Sequence, residues 1–149
     1  MEQQLYSIVY CSRNRMYGDS TEIKEELESI LASSRKNNQL AGISGALLYN
    51  AGSFAQVLEG PLDAIGRVFE VIQRDSRHSE VTVIQSGPIE KRQFPEWSMA
   101  FTGSTSAEGT PVASAAFDAV FAHADLAGEQ MLSTLQELII SNEEWVLLD

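Results

Sequence analysis

Two periodicities of hydrophobic and polar residues alternate along the first hundred residues, and their order predicts the fold. Short apolar runs rich in β-branched and aromatic residues predict five strands, at 5–12, 42–49, 54–60, 81–85 and 97–102. Apolar residues recur at helical spacing in 21–36 and 61–75. The order is that of a split β-α-β unit with one extra strand. The sequence therefore predicts an α+β ferredoxin-like sandwich, a five-stranded mixed sheet with two helices on one face.

Short amides and prolines set several of the predicted boundaries. Asn37 and Asn38 are expected to stop the first helix at residue 36, since short amides are common at helix C-termini. Pro61 is expected at the start of the second helix. Pro88, after Gly87, is expected to end or bend the fourth strand. Residues 50–53 are expected to form a hairpin loop.

The C-terminal third predicts a linker and two more helices. Residues 103–109 are rich in Ser, Thr and Gly, and helices are expected from Pro111 and over 128–140. We therefore divide the chain into a domain at 1–103 and a linker with a helical appendage at 104–149. The apolar stripes of these helices must be buried, either on the uncovered face of the sheet or against a second subunit.

The strand 54–60 carries a polar residue that requires an explanation. Side chains alternate along a strand, so Phe54, Gln56 and Leu58 share one face. If that face is the core face, each unpaired polar group of the Gln56 amide costs about 1–3 kcal/mol. Backbone, water or an outward orientation would satisfy the amide, and so would a polar ligand held against the sheet. Both interpretations stay open on the strand alone.

Composition excludes several classes of protein. The net charge of −11 opposes nonspecific binding to nucleic acid or to anionic membranes. A hydrophobic content of 44% is sufficient for a full core. The single cysteine, Cys11, and a start without a basic, apolar leader lead us to expect a cytoplasmic protein. His78 and His123 lie far apart in the sequence, so no metal site is expected.

Two candidate chemistries are weighed against simpler interpretations. Glu59 and Asp63 could be an acid/base pair for catalysis. The simpler interpretation is structural, because the helix dipole stabilises carboxylates near a helix N-terminus. Tyr10, Gln56 and Asn38 are more informative. If they meet in one cleft, a phenol and two amides converge between two helices, and Ile30 supplies an aliphatic wall. Such a cleft suits a planar heterocycle that carries carbonyl and ring N–H groups.

The chain resembles a known family, the BLUF domain, a flavin-binding sensor of blue light of which this is the short stand-alone type. The resemblance covers residues 5–102. Six motifs in chain order carry it: Tyr10-Cys11-Ser12, Ser34-Arg35-Lys36-Asn37-Asn38, Gly42-Ile43-Ser44-Gly45, Phe54-Ala55-Gln56-Val57-Leu58-Glu59-Gly60, Asp75-Ser76-Arg77-His78 and Phe94-Pro95-Glu96-Trp97-Ser98-Met99.

The resemblance implies a flavin between the two helices and assigns photoactive roles. Tyr10 donates an electron and then a proton to the excited flavin, and Gln56 bridges the Tyr10 hydroxyl and the flavin ring. Asn38 hydrogen-bonds the carbonyl edge of the ring. Trp97 and Met99 on the fifth strand respond to light. The flavin supplies the chemistry and the protein orients it.

The resemblance also implies the remaining cofactor contacts. Ser12 and Ser34 match polar residues that line the site. Asp75 matches the ribityl contact, and Arg77 and His78 match residues near the ribityl-phosphate side. One departure from the family pattern is Val71. Family members often carry His or Arg at this position, one turn before the aspartate that Asp75 matches. The expected cofactor is FAD, with FMN or riboflavin as alternatives.

The expected function is that of a blue-light photoreceptor without enzymatic activity. Signalling passes through the fifth strand and the C-terminal helices to a separate protein partner, or through a change of assembly in a homo-oligomer. A light-independent adaptor or antirepressor with the same fold is the alternative. A flavin reductase is a third class, which lacks support because no nicotinamide motif is visible.

Overall fold

The computed structural model describes residues 4–95, 99–104, 111–122, 126–142 and 146–148. Its centre is a mixed sheet with the strand order β4-β1-β3-β2-β5-β6. The strands are β1 Leu5–Asn14, β2 Ser44–Asn50, β3 Ser53–Pro61, β4 His78–Ile89, β5 Ala100–Ser104 and β6 Val146–Leu148. Neighbours among β1 to β4 pair antiparallel, whereas β5 pairs parallel with β2. The five-stranded mixed sheet is confirmed, and the short β6 extends it beyond β5.

Helices cover both faces of this sheet. The helices are α1 Ser20–Ala41, α2 Leu62–Arg74, α3 Pro111–Phe121 and α4 Ala127–Asn142. On one face, Leu31 of α1 and Ile65 of α2 share a hydrophobic core with the sheet. On the other face, Phe117 of α3 and Leu135 of α4 pack with Val9 and other strand residues. Of the two burial sites that the sequence left open, the sheet face takes the stripes of α3 and α4.

The end of α1 differs from the prediction. The helix continues through Asn37 and Asn38 and ends at Gly42, whose φ of 72° lies in the left-handed region. The Gly42 N–H bonds back to the carbonyls of Asn38 and Gln39, which closes the helix. Glycine adopts this conformation without steric cost and therefore stops a helix more effectively than an asparagine pair. Asn38 consequently lies in the last turns of α1 and is only 2% exposed.

The fourth and fifth strands also differ in extent. β4 runs through Gly87 and Pro88 instead of ending at Gln85. It is the outer strand of the sheet and pairs on one side, with β1, so a residue without an N–H fits there. β5 begins at Ala100 rather than at residue 97 and runs to Ser104, past the predicted end of the strand at residue 102. Trp97 lies outside the described residues.

The β2–β3 hairpin sets the register of the central strands. Ala51 and Gly52 form its two-residue turn with φ values of 49° and 81°, the positive values that match the twist of paired strands. This hairpin confirms the prediction for residues 50–53. The β2–β3 register places Gln56 opposite Leu47. The register between β1 and β3 places Gln56 opposite Tyr10.

None of the described helices combines the length and hydrophobicity that crossing a bilayer requires.

Candidate functional site

A cavity of about 310 Å³ lies between α1 and α2 above the central strands. Its size falls at the lower end of the range for small-molecule sites. Eight of the residues predicted for the site line it: Tyr10, Ile30, Ser34, Asn38, Gln56, Asp75, Arg77 and His78. The fold therefore brings to one place residues that the sequence distributes over almost seventy positions. Their roles toward a cofactor stay predictions.

Two side chains of the cavity lining, Tyr10 and Gln56, form a buried hydrogen-bonded chain with Met99, which does not itself line the cavity. The Tyr10 hydroxyl donates to Oε1 of Gln56, and Nε2 of Gln56 lies 3.5 Å from the Met99 sulfur, which accepts. Tyr10, Gln56 and Met99 are 3%, 4% and 1% exposed. Gln56 thus faces inward and has a side-chain partner at each end of its amide. A half-turn of this amide would exchange its donor and acceptor ends.

Tyr10 is held as a neutral phenol. Burial raises the pKa of Tyr10 far above its usual range, and the nearby Asp75 carboxylate raises it further. The hydroxyl therefore keeps its proton at neutral pH and serves as the donor to Gln56. The ring is fixed from α2 by Phe69, whose centroid lies 5.4 Å away at a tilt of 51°. The phenol is positioned tightly enough to present one hydroxyl direction to the cavity.

One rim of the cavity carries a network of charged residues. Nε of Arg77 lies 2.9 Å from Oδ1 of Asp75, and its Nη1 lies 3.5 Å from the Glu26 carboxylate. The hydrogen bond from the Arg77 side chain holds the pKa of Asp75 below its usual range. Arg77, predicted as a phosphate contact, is therefore already paired with two carboxylates.

His78 links the rim to the sheet. Its Nε2 lies 2.6 Å from the Ile72 carbonyl, so this nitrogen carries a proton and donates it. Its Nδ1 lies 2.7 Å from the Ser12 hydroxyl. Ser12 is buried beneath His78 and does not line the cavity directly. The structure thus places Ser12 behind His78 rather than in the first layer around a ligand.

Sequence reasoning missed the α2 wall of the cavity. Arg67, Val68, Val71 and Ile72 line it at helical spacing. Val71 is 64% exposed. The available signal was the apolar periodicity of α2, since Val68 and Ile72 pack against the core cluster and also line the cavity. Arg67 lies at the rim, 3.6 Å from Asp63, with 71% of its side chain exposed.

Glu59 has a structural environment that differs from its interpretation as a carboxylate at a helix N-terminus. It is fully buried and accepts from the backbone N–H groups of Gln93 and Phe94, at 2.6 Å and 2.8 Å. Its third donor is the Ser44 hydroxyl, at 3.3 Å. Burial raises the pKa of Glu59 in spite of these hydrogen bonds. Glu59 therefore anchors the segment that leads toward β5.

A second, more open depression of about 1030 Å³ lies between the β1–β4 edge and α3–α4. Arg13 and Glu80 in its lining pair with each other at 2.6 Å and are mostly exposed. The smaller cavity is the better candidate site, because buried phenol and amide groups there face an aliphatic wall.

Trp97, predicted as a photoactive residue, and His123, one of the two histidines considered as metal ligands, both lie outside the described residues. Within the part of the chain that the structure describes, no cluster of three potential metal ligands occurs.

Two solved structures similar to this one are described as a BLUF protein and as a light-regulated enzyme. The dark-state structure of BlrB, described as a BLUF protein, aligns with a TM-score of 0.72 at 31% identity. The alignment covers 95% of this chain and 98% of that chain. A bacterial light-regulated adenylyl cyclase aligns with a TM-score of 0.68 at 28% identity, over 80% of this chain and 35% of the cyclase.

Curated relatives agree with these structures over a shorter region. The β subunit of a photoactivated adenylate cyclase from Euglena longa is 37% identical over 75 residues, which are 50% of this chain and 9% of that protein. The blue light- and temperature-regulated antirepressor BluF of Escherichia coli K12 is 28% identical over 76% of this chain and 27% of its own length. The matched region thus spans only a small part of the length of these curated relatives.

A family model described as sensors of blue light using FAD matches residues 5–100. These residues include β1 to β4, both cavity helices and the Tyr10–Gln56 pair. Over the matched residues the chain is a sensor module rather than an enzyme. Because the match extends over most of the sequence, this protein belongs to the BLUF family of flavin-based blue-light sensors.

Proposed function

We propose that this chain is a blue-light photoreceptor in which Tyr10 and Gln56 respond to excitation of a flavin held between α1 and α2. The observation that supports the proposal is the buried chain Tyr10–Gln56–Met99, whose first two members line the cavity. A neutral phenol, a two-ended amide and a polarizable thioether in contact form a relay rather than a hydrolytic site.

The lining of the cavity is chemically suited to a flavin. Asn38 and Gln56 offer amide groups to the carbonyl and N–H edge of the ring, and Ile30 with Val68 and Ile72 offers apolar contact to its faces. The rim residues Asp75, Arg77 and His78 would lie toward the ribityl chain and phosphate. We propose FAD as the cofactor, in agreement with the description of the family.

The photochemical step that we propose is balanced within the site. A bound flavin supplies a light-excited electron acceptor. Tyr10 gives up one electron and its phenolic proton and later recovers both, so no external reagent is consumed. The Gln56 amide relays the proton and ends rotated or as its tautomer, which alters its contacts with Tyr10 and Met99. With a flavin bound, the altered Gln56 amide would donate a stronger hydrogen bond to the ring, and the absorption would shift to the red.

The output that we propose begins at Met99, directly before β5. β5 pairs with β2, and α4 lies against the β2–β5 region of the sheet. A change at Met99 would therefore reach the C-terminal helices and a separate protein partner. A relative whose name describes it as an antirepressor supports a protein as that partner. We also propose that the protein acts in the cytoplasm as a homo-oligomer.

An absorption spectrum of the purified protein, reconstituted with FAD and recorded before and after blue illumination, tests the proposal. We expect flavin bands in the dark, a small reversible red shift after illumination and recovery in the dark. Failure to bind FAD, or bound flavin whose bands do not move, would contradict it. A protein that functions without flavin would support the light-independent adaptor instead.

A further inference from the structure

Arg35 joins helix α1 to Met99, the residue directly before the fifth strand. Its Nε donates to the Met99 main-chain carbonyl at 3.0 Å, over a sequence separation of 64 residues. The side chain is partly buried, and this burial lowers the pKa of Arg35. A partly desolvated guanidinium forms a stronger hydrogen bond to a carbonyl than a neutral donor does. The contact is therefore an anchor between two elements of the site.

Arg35 lies outside the cavity, although its neighbours on α1 line it. Ser34 precedes it, and Asn38 follows one turn later on the same side of the helix. Met99, whose carbonyl Arg35 binds, is also the residue whose sulfur accepts from Gln56. Through its hydrogen bond to the Met99 carbonyl, Arg35 connects α1, which forms one wall of the cavity, to the residue whose thioether contacts Gln56.

We propose that Arg35 is a positioning residue of the photocycle, which holds Met99 against the Gln56 amide and thereby sets the rate of dark recovery. The inference rests on the proposed photoreceptor function and adds to it a residue that touches neither the cavity nor the phenol. Sulfur is a weak acceptor, so the Gln56–Met99 contact depends on where the backbone places the thioether.

The direction of the effect follows from the two ends of the amide. In the structure, Nε2 of Gln56 donates to the sulfur. When the amide reverses, its oxygen faces the sulfur, and two acceptors oppose each other. Arg35 prevents Met99 from withdrawing, so the reversed arrangement is destabilised and returns quickly. Without Arg35, Met99 can move away, and the light-induced arrangement persists longer.

The test compares Arg35→Ala with Lys36→Ala in the full chain loaded with FAD. Both replacements remove one positive charge from the same turn of α1, but Lys36 is exposed. We expect Arg35→Ala to keep the dark spectrum and the red shift and to slow recovery by about tenfold, the low end of one charge-assisted hydrogen bond. Lys36→Ala should recover at the wild-type rate. Arg35→Lys should restore part of the rate.

A second readout does not depend on the photocycle. Hydrogen exchange in the dark should be faster for the β5 amides of Ala100–Thr102 in Arg35→Ala than in Lys36→Ala. In a Met99→Leu background, which lacks the sulfur, Arg35→Ala should change the recovery rate by less than twofold, because the two residues act through one contact. Should Arg35→Ala fail to retain flavin, Arg35→Gln carries the same comparison.

The outcomes separate this inference from the proposed function. If the wild type shows the photocycle and Arg35→Ala recovers as fast as Lys36→Ala, the inference is overturned and the proposed function is not. An undiminished effect of Arg35→Ala in the Met99→Leu background would also overturn it. A wild-type protein that binds FAD without any light response would overturn the proposed function together with the inference.

Discussion

The two faces of the sheet consist of alternate residues of the same strands and both carry an apolar core, yet only the α1–α2 face combines that core with a cavity lined by a buried phenol and buried amides. Tyr10 and Gln56 point toward α1 and α2, whereas their neighbours Val9 and Val57 point toward α3 and α4. Burial is nearly complete on both faces. Burial alone therefore does not mark the functional face. The distinguishing feature is a set of buried polar groups that meet at a cavity.

The largest expected effect comes from making the α1–α2 face resemble the α3–α4 face. Gln56→Leu removes both ends of the relay between Tyr10 and Met99. We expect flavin to remain bound and the light-induced red shift to be lost completely in difference spectra. Gln85→Leu is the matched control, since it is exposed on β4 beside the other depression and should keep the shift. A normal red shift in Gln56→Leu would remove Gln56 from the mechanism.

The complementary change weakens the α3–α4 face and should affect stability without affecting colour. Leu135 of α4 is fully buried in the core shared with the sheet. We expect Leu135→Ala to lower the free energy of unfolding by about 2–5 kcal/mol because it leaves a cavity. Urea denaturation measures this loss, and difference spectra should show an unchanged red shift. Loss of the red shift in a folded Leu135→Ala variant would show that packing on the α3–α4 face also controls the light response.

Glu59 is a buried carboxyl group on the α3–α4 side of the sheet, and its titration sharpens the comparison. Burial raises its pKa, so the folded protein binds this proton more tightly than the unfolded chain does. Its contribution to the free energy of unfolding is therefore greatest below the unfolded pKa and falls as pH rises through the raised folded pKa. We expect the stability of the wild type relative to Glu59→Gln to decline over that interval in urea titrations. A rise would mean that the hydrogen bonds outweigh burial.

The smallest effect concerns the rim of the cavity on the α1–α2 face. Arg67 is exposed and only loosely paired with Asp63, while Arg77 is engaged by two carboxylates. We expect Arg67→Ala to weaken FMN binding about two- to fivefold at low salt and to leave riboflavin binding unchanged, since exposed ion pairs contribute little. Fluorescence titration measures both affinities. The control is Arg74→Ala, an exposed arginine of α2 outside the cavity lining. Equal losses for both flavins would exclude a phosphate contact.

Much of the fold and of the site could be predicted because the relevant signals are local. Alternation in β1 and β3 separated Tyr10 and Gln56 from Val9 and Val57, and the motifs around them identified the family. The β2–β3 turn was similarly evident, since Gly52 supplies one of the positive φ values that a two-residue hairpin requires. Each of these features depends on residues that are close together in the sequence.

The missed features depend on segments far apart in the chain. The apolar stripes of α3 and α4 are compatible with a sheet face or a second subunit, and only the packing with Val9 decides between them. The extension of β4 through Pro88 requires its position at the edge of the sheet. The same limit applies to Arg35, which looks like an ordinary helix arginine until α1 places it beside the Met99 carbonyl.

The sequence by itself determined the order of the first nine elements and the strand faces, because these follow from periodicity, and its resemblance to a known family identified the residues of the flavin-sensor motifs. Tertiary structure alone decided where α3 and α4 pack, which donors surround Glu59 and which residue holds Met99. Such contacts join positions that are dozens of residues apart, and their free energies exist only once the chain has brought those positions together.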